Sequence, residues 1–503
     1  MAAKSPETSR YTETERKFEV VESTVAPSFD GLSSVARVER SPSQQLDAVY
    51  FDTPGRDLAR HRITLRRRTG GADAGWHLKL PAGPDTRTEV RAPLEDDPAA
   101  GADASPSVPE SLRDVVLAIV RDRPLAPVAH ISTSRTVELL YGPQGSAVAE
   151  FCDDQVTASA EGGEEQRWRE WELELAEGVA DQDLFDRLSN RLLDAGALPA
   201  GHGSKLARVL ESSGPAPDTA EVSSDPVHRA VAANVEELLE WDRAVRSDVY
   251  DSVHQMRVTT RKIRSLLQSS EGAFGITDDD WILEELRELA GVLGVARDAE
   301  VLAERYERAL DDLPESNVRG PVRERLVDGA KKRYQNGWRR SLTAMRSPRY
   351  FRLLDALEAL VAAEPPPTSH GEEPAHVTID SAYKRIRKAA KAARAAAADA
   401  DVDNDEALHR IRKRAKQLRY TAAATGATKV ADRAKTIQTL LGDHQDSVVS
   451  RSHLSRQAEL AHAAGEDTFT YGLLYQLEND LALRCEEQID DALAKLDKAV
   501  RKS

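Results

Sequence analysis

The first periodic stretch of the chain alternates with a period of two. In Glu13-Thr14-Glu15-Arg16-Lys17-Phe18-Glu19-Val20 a β-strand would turn Glu13, Glu15, Lys17 and Glu19 to one face and Thr14, Arg16, Phe18 and Val20 to the other. A face of three carboxylates and a lysine cannot pack an ordinary core, because buried charges without partners are strongly destabilising. It suits hydrated guests, divalent cations on the carboxylates and an anion on the lysine. Taken alone, the stretch fits a solvated edge strand equally well. Between residues 44 and 91 the pattern continues as short alternating runs bounded by Gly and Pro, the mark of consecutive antiparallel strands. Strands are predicted at 46–51, ended by Asp52-Thr53-Pro54-Gly55, at 63–68 with Thr64, Arg66 and Arg68 on one face, at 76–80 around Lys79, and at 87–91, where Arg87, Glu89 and Arg91 alternate with Thr88 and Val90. Residues 93–110 read as an exposed loop. Strands resume at 131–140 with Arg135, at 146–151 ending at Asp153-Asp154, and at 168–175, where Glu170, Glu172 and Glu174 repeat the signature of the first strand.

About eight antiparallel strands are therefore expected, with carboxylates from the two ends of the segment and Arg or Lys from the middle sharing an inner face. Small closed barrels normally fill their interiors with apolar side chains, so a charged lumen implies a water-filled tunnel built for a ligand. Helical spacing then appears over 181–195, with Leu184, Leu188, Leu192 and Leu193 on one side. Residues 213–226 are a linker by composition, and Asp225-Pro226 makes a good helix start.

Everything beyond reads as helix, and it repeats. His254, Arg257, Arg261 and Arg264 stand at i, i+3, i+7 and i+10, and His409, Arg412, Lys416 and Arg419, with Lys413 beside them, stand at the same offsets. At 100° per residue each set spans an arc of roughly 80°. A second shared element follows each stripe, Leu289, Leu293, Gly294 and Asp298 matching Ile437, Leu441, Gly442 and Asp446. The region is predicted to be an all-α pair of pseudo-symmetric bundles, 227–361 and 376–500, divided at 364–368 and closed by a helix pair over 473–496. A lone basic stripe is commonly a solvated face, and a helix-surface histidine commonly pairs with a neighbouring carboxylate. Here, however, neither 252–270 nor 407–431 contains an acid, and Lys384, Arg385, Arg387, Lys388, Lys391 and Arg394 add to the basic surface. Such stripes suit a polyanion, whose oxygens arginine forks bind bidentately.

Composition narrows the partners. With Asp+Glu 85 against Lys+Arg 69 in 503 residues the chain carries a formal charge of -16, so it is a poor candidate for coating nucleic acid unspecifically. Aromatic residues make up 5%, too few for base-stacking platforms, and no specific nucleic-acid partner is predicted. Cys152 and Cys485 fit no ligand spacing and point to a reducing compartment. With no apolar leader and no stretch long enough to cross a bilayer, a cytoplasmic protein without a membrane partner is expected.

The chemistry that suits the tunnel is phosphoryl transfer by positioning and electrostatics. Mg²⁺ or Mn²⁺ prefers carboxylate oxygens, available from Glu13, Glu15, Glu170, Glu172 and Glu174, while Arg66, Arg68, Arg87 and Arg135, with Lys17 and Lys79, would neutralise a linear oligophosphate. Glu13-x-Glu15-x-Lys17, Tyr50-Phe51-Asp52-Thr53, Leu65-Arg66-x-Arg68, Lys79, Arg135, Glu170/Glu172/Glu174 and Gly203-Ser204-Lys205, taken in order, resemble the CYTH superfamily of triphosphate tunnel metalloenzymes over residues 10–212. The resemblance implies a tunnel acting on triphosphates with Mg²⁺ or Mn²⁺. Its members include inorganic, thiamine and RNA triphosphatases and class IV adenylyl cyclases. Glu13, Glu15, Lys17 and Lys79 would be catalytic; Asp154 would join the metal-binding acids, and Lys205 would reach the phosphates. One departure is Arg91, which stands where the family often has an acid. The histidine-headed stripes resemble the CHAD domain, a conserved-histidine α-helical module, over about 220–500. That resemblance implies binding of inorganic polyphosphate and no catalysis, with association to polyphosphate granules as one option for a cytoplasmic protein.

The expected architecture is thus α+β and multidomain: a CYTH-like tunnel over 10–212 and a CHAD-like helical domain over 227–500. The expected activity is metal-dependent hydrolysis of inorganic triphosphate or short polyphosphate. A non-catalytic polyphosphate-binding protein and adenylyl cyclase chemistry on ATP are the alternatives.

Overall fold

The computed structural model describes residues 9–94, 107–212, 226–269, 279–363, 379–397, 404–424 and 426–502. Its strands are β1 (Ser9–Val20), β2 (Arg37–Arg40), β3 (Gln44–Asp52), β4 (Thr64–Thr69), β5 (Gly75–Pro81), β6 (Thr86–Ala92), β7 (Ala126–Tyr141), β8 (Ala147–Ala160), β9 (Gln166–Leu175) and β10 (Leu198–Pro199). Eight of them close into an antiparallel barrel in the order β1-β6-β5-β4-β3-β7-β8-β9, with β9 returning to β1. Strand β1 performs the closure by changing partner along its length. Its first half, Ser9 to Thr14, pairs with β6, and its second, Glu15 to Val20, pairs with β9. The two short strands flank the barrel, β2 on β7 and β10 on β1.

Two expectations about strands need correcting. The run ending at Asp153-Asp154 is in fact a strand through Ala160, because Val156, Ala158 and Ala160 keep alternating as buried residues and Asp154 is neutralised inside the barrel. Glu19 shares a face with Glu15 and Lys17 but does not line the lumen; it faces Arg208 at 3.6 Å. The short strands β2 and β10 carry no alternation that would have announced them.

The helices are α1 (Asp57–Arg60), α2 (Glu110–Val115), α3 (Leu117–Val120), α4 (Gln182–Asp194), α5 (Lys205–Ser212), α6 (Pro226–Arg246), α7 (Ser252–Ser269), α8 (Asp279–Asp311), α9 (Gly329–Met345), α10 (Pro348–Ala362), α11 (Ile379–Ala397), α12 (Asn404–Ala424), α13 (Thr428–Ala463) and α14 (Phe469–Val500). Outside the barrel, α4 is capped by Asp181, whose side chain accepts from the Leu184 amide, and lays Leu184, Phe185, Leu188 and Leu192 over Phe18, Phe151, Trp171 and Leu173. Burying each such side chain contributes roughly 1.5–3 kcal/mol. Helix α5 instead fills one end of the lumen. Its Leu206, Val209 and Leu210 pack against Tyr50, Ala129, Ile131, Val156 and Ala158, which leaves Lys205, in its first turn, at the polar interior.

The chain divides into two compact units, Met1–Ala290 with Leu342–Pro365 and Gly291–Ser341 with Pro366–Ser503. Within the first, the barrel is tied to α10 by Arg121, which is 1% exposed and lies 3.3 Å from Asp355 and 2.6 Å from Glu358. Within the second, Leu408, Ile411, Ala415 and Leu418 of α12 meet Ile386, Ile437, Leu441 and Leu496. Their three- and four-residue spacing is the buried stripe of a helix whose other side stays wet. The expected helix pair at the end of the chain is the single helix α14, since 473–496 contains no breaker to interrupt it. The expected division at 364–368 and most of the expected linker lie outside the described residues.

Candidate functional site

The lumen is a cavity of about 380 Å³. Alternation on β1 brings Glu13, Glu15 and Lys17 into it, β4 brings Thr64, Arg66 and Arg68, β5 brings Lys79, β6 brings Arg87, Glu89 and Arg91, β7 brings Arg135, and β9 brings Glu172 and Glu174. Register fixes who faces whom. Lys17 lies opposite Glu172, and Glu15, Glu174 and Glu150 form one cross-strand row on β1, β9 and β8.

Nearly every cation here holds a carboxylate. Lys17 Nζ is 2.8 Å from Glu15 and 2.5 Å from Glu172, and Lys79 Nζ is 2.5 Å from Glu13. Arg87 approaches Glu15 at 3.4 Å. Arg135 grips Asp154 with two hydrogen bonds of 2.8 and 2.6 Å and also reaches Glu172. Lys205 lies 2.7–2.8 Å from Asp154, Glu170 and Glu172 together. Arg91 pairs with Glu89 and stands 3.5 Å from Glu13, so the departure noted in the sequence adds a cation beside the first-strand acids. Arg66 differs. Among the described residues its one hydrogen bond runs to the Tyr50 hydroxyl at 3.4 Å, no carboxylate pairs with it, and its Nε is buried without a partner.

These contacts govern protonation. Burial works against ionising Glu15, yet Lys17 and Lys79 hold its carboxyl down at about 2. Glu13 is pushed up, by burial first and then by Glu89, against the pull of Lys79. Glu174 has no ion pair among the described residues; burial and then the charges of Glu13, Glu15 and Glu150 push it up to about 8. Asp154 and Glu172 are held low by the surrounding cations despite burial.

The donor set fits a hard divalent ion. Asp154, Glu170 and Glu172 each offer a carboxylate oxygen within 4.8 Å of the others, and oxygen-only ligands are what Mg²⁺ and Mn²⁺ take. An ion there would have to displace the Lys205 ammonium, which already contacts all three acids. In the crowded row of Glu15, Glu174 and Glu150, burial first and then the neighbouring carboxylates keep Glu174 hard to ionise, and a cation would relieve the repulsion.

Of the residues singled out in the sequence, Glu13, Glu15, Lys17, Arg66, Arg68, Lys79, Arg87, Arg135, Glu172, Glu174 and Lys205 all line this cavity, and Asp154 and Glu170 touch it through Lys205. Sequence reasoning missed Glu150, which continuing the alternation back from Asp154 would have found. It also missed Asp73 and His77: Asp73 sits in a turn with no periodic signal, and His77 shares the inner face of β5 with Lys79 but stops below the lumen, buried against Glu89. The helical candidates lie on two helices. His254, Arg257, Arg261 and Arg264 are on α7, and His409, Arg412, Lys413, Lys416 and Arg419 are on α12. On α12 the His409 Nδ1 and Arg412 Nε are buried without hydrogen-bond partners, and Arg412 lies against buried Gly442, where a Cβ would come 3.6 Å from its guanidinium. Burial, with Lys413 and Arg412 beside it, lowers the His409 pKa, so the ring is a neutral donor and acceptor near pH 7.

The chain belongs to the family of proteins in which a CYTH domain is followed by a CHAD domain. Residues 12–194 match the CYTH domain and residues 229–455 the CHAD domain. It is 65% identical over 519 residues, with 100% of both chains covered, to the proteins named Rv2226 in Mycobacterium tuberculosis strain H37Rv and MT2285 in strain CDC 1551. Among solved structures it is similar to the CHAD domain from the plant Ricinus communis, with 22% identity, a TM-score of 0.38, and 56% of this chain and 97% of that one covered. It is also similar to HpAC1 from Hippeastrum, an adenylyl cyclase by name and described with a dominant triphosphatase activity, with 21% identity, a TM-score of 0.25, and 40% and 96% covered. No helix among the described residues is long and apolar enough to cross a membrane.

Proposed function

We propose that the barrel is a metal-dependent hydrolase of inorganic triphosphate or short polyphosphate, and that the basic stripes of α7 and α12 bind longer polyphosphate. The observation that carries the reading is Arg66, a lumen cation without a carboxylate, among lysines and arginines whose carboxylate partners phosphate oxygens could replace. Mg²⁺ or Mn²⁺ held by Asp154, Glu170 and Glu172, with Glu13, Glu15 and Glu174 nearby, would supply charge neutralisation and an acidified water. The chain's own part is positioning. Arg66, Arg68, Arg87 and Arg135 orient and neutralise the phosphates, Lys17 and Lys79 hold the first-strand acids and meet the oxygens between them, and the closed wall limits water. Lys205 would turn from the acids toward the phosphates.

The test is phosphate release from triphosphate, ATP, thiamine triphosphate and long polyphosphate, with Mg²⁺ and Mn²⁺ in parallel. Release from triphosphate, lost in the Glu13→Ala, Glu15→Ala variant while polyphosphate retention survives, is the expected result. A second reading, a polyphosphate-binding protein with no chemistry in the barrel, is favoured by the Lys205 ammonium resting among the three metal-type carboxylates. No release from any substrate would select it. Cyclic product from ATP in the same assay would select the cyclase alternative.

A further inference from the structure

Asp73 lies in the turn between β4 and β5 and projects over the lumen, where its carboxylate pairs with Arg68. The arrangement is built rather than incidental. Gly70 and Gly71 take positive φ, 79° and 75°, and a Cβ on Gly70 would come 2.1 Å from the Gln45 carbonyl oxygen, one on Gly71 2.8 Å from Leu46 Cδ2. The turn is therefore pressed onto β3 too closely for any side chain at these two positions. From the other side, buried His77 donates through Nε2 to the Asp73 carbonyl at 2.9 Å, and its Nδ1 lies 2.9 Å from Glu89, itself fully buried. Backbone and base of the turn are clamped, and the carboxylate is the part that can exchange.

Arg66 and Arg68 point the same way from β4, one strand repeat apart, so they would take successive parts of one phosphate chain. Arg66 has no carboxylate, while Arg68, only 5% exposed, is occupied by Asp73. Around that end of the cavity stand Glu150, Glu174 and Glu177, and the further cation there, Arg91, is itself paired with Glu89. A chain that ends at Arg66 meets a cation that no carboxylate among the described residues holds; one that continues to Arg68 must displace a carboxylate and approach further acids.

We propose that Asp73 is the length-selecting residue of the tunnel: by occupying Arg68 it confines tight binding to short phosphate chains and disfavours each phosphate added beyond the Arg66 seat. This rests on the reading of the lumen as a phosphate tunnel given above. It assigns to one turn residue what a uniform basic channel could not supply, a position at which added phosphates lose rather than gain.

The test compares linear triphosphate and tetraphosphate binding by calorimetry, in chelator, for the full chain, Asp73→Asn, Asp73→Ala and Asp73→Asn with Arg66→Ala. Asp73→Asn keeps the side chain's shape over buried Arg68 and so guards against a folding defect. Both single variants are expected to bind tetraphosphate about fivefold or more tighter, with triphosphate changed less than about twofold. The gain should vanish when Arg66 is also removed, which separates the tunnel from the helical stripes. An unchanged tetraphosphate-to-triphosphate ratio overturns the proposal, as does a gain that persists without Arg66 or the absence of any Arg66-dependent binding. Failure of the hydrolase reading looks different: the binding ratio shifts as expected, but no phosphate is released when Mg²⁺ or Mn²⁺ is supplied.

Discussion

The barrel lumen and the basic side of α12 are both rich in cations, but they use them in opposite ways. Inside the barrel Lys17, Lys79, Arg135 and Lys205 face carboxylates at 2.5–2.8 Å, so the site is a lattice of pairs in which an incoming phosphate competes with an acid already present. On α12 Arg412, Lys413, Lys416 and Arg419 follow one another with no acid between them, and the helix rests on an apolar stripe of Leu408, Ile411 and Leu418. The first arrangement favours a small guest of fixed geometry, because every pair broken inside a low-dielectric cavity must be replaced by one as good. The second favours any long polyanion, because its attraction comes from charge density and fades with salt.

The sharpest way to break that contrast is Glu13→Ala with Glu15→Ala. Phosphate release should fall at least about 100-fold, since the carboxylates that hold and tune the lumen cations are gone, with polyphosphate retention on an affinity column unchanged. A matching fall in retention would mean that the two regions are one site. Leu418→Ala does the reverse. It opens a cavity under the α12 stripe and should lower unfolding stability by about 2–4 kcal/mol in denaturant titration, with retention weakened and triphosphate release at low temperature preserved. Arg412→Ala with Arg419→Ala leaves the fold and should weaken polyphosphate binding about 3- to 10-fold at low salt, an effect that shrinks as salt is raised.

The smallest effect separates the regions by pH. Burial, with Arg333 and Arg456 nearby, lowers His453 to about 4 from the ordinary 6.5. The unfolded chain therefore binds the proton first, and stability full above pH 6.5 is lost as pH falls toward 4, by about 1 kcal/mol after solvent screening. His453→Gln should remove that component of a stability profile. The barrel answers lower. Glu15, held at about 2 by Lys17 and Lys79 against an ordinary 4.5, contributes stability present above pH 4.5 and lost as pH falls toward 2. Acid unfolding around His453 should precede that of the barrel, followed by the helical signal in circular dichroism and, for the barrel, by the fluorescence of a variant that keeps Trp76, Trp168 and Trp171 and replaces Trp241, Trp281 and Trp338 by Phe.

Much of this was legible from letters alone. Period-two alternation on β1, β4, β6 and β9 announced both the strands and the charged inner face, because a strand's geometry leaves each side chain only two directions. The repeated histidine-headed offsets announced α7 and α12 for the same reason at helical period. Where signals were local they gave out. Asp153-Asp154 reads as a strand end until Arg135 and Lys205 are found beside Asp154, and 473–496 reads as two helices only if α14 is cut without a breaker.

Sequence by itself determined which residues of a strand share a face, since alternation is a property of the backbone and needs no partner. Tertiary structure alone decided the pairings: that Lys205 arrives from a helix to sit among Asp154, Glu170 and Glu172, that Arg66 is left without an acid, and that Asp73 covers Arg68. Those outcomes depend on strand register, on barrel closure and on a clamped turn, and charges many residues apart in the chain have no local trace of meeting.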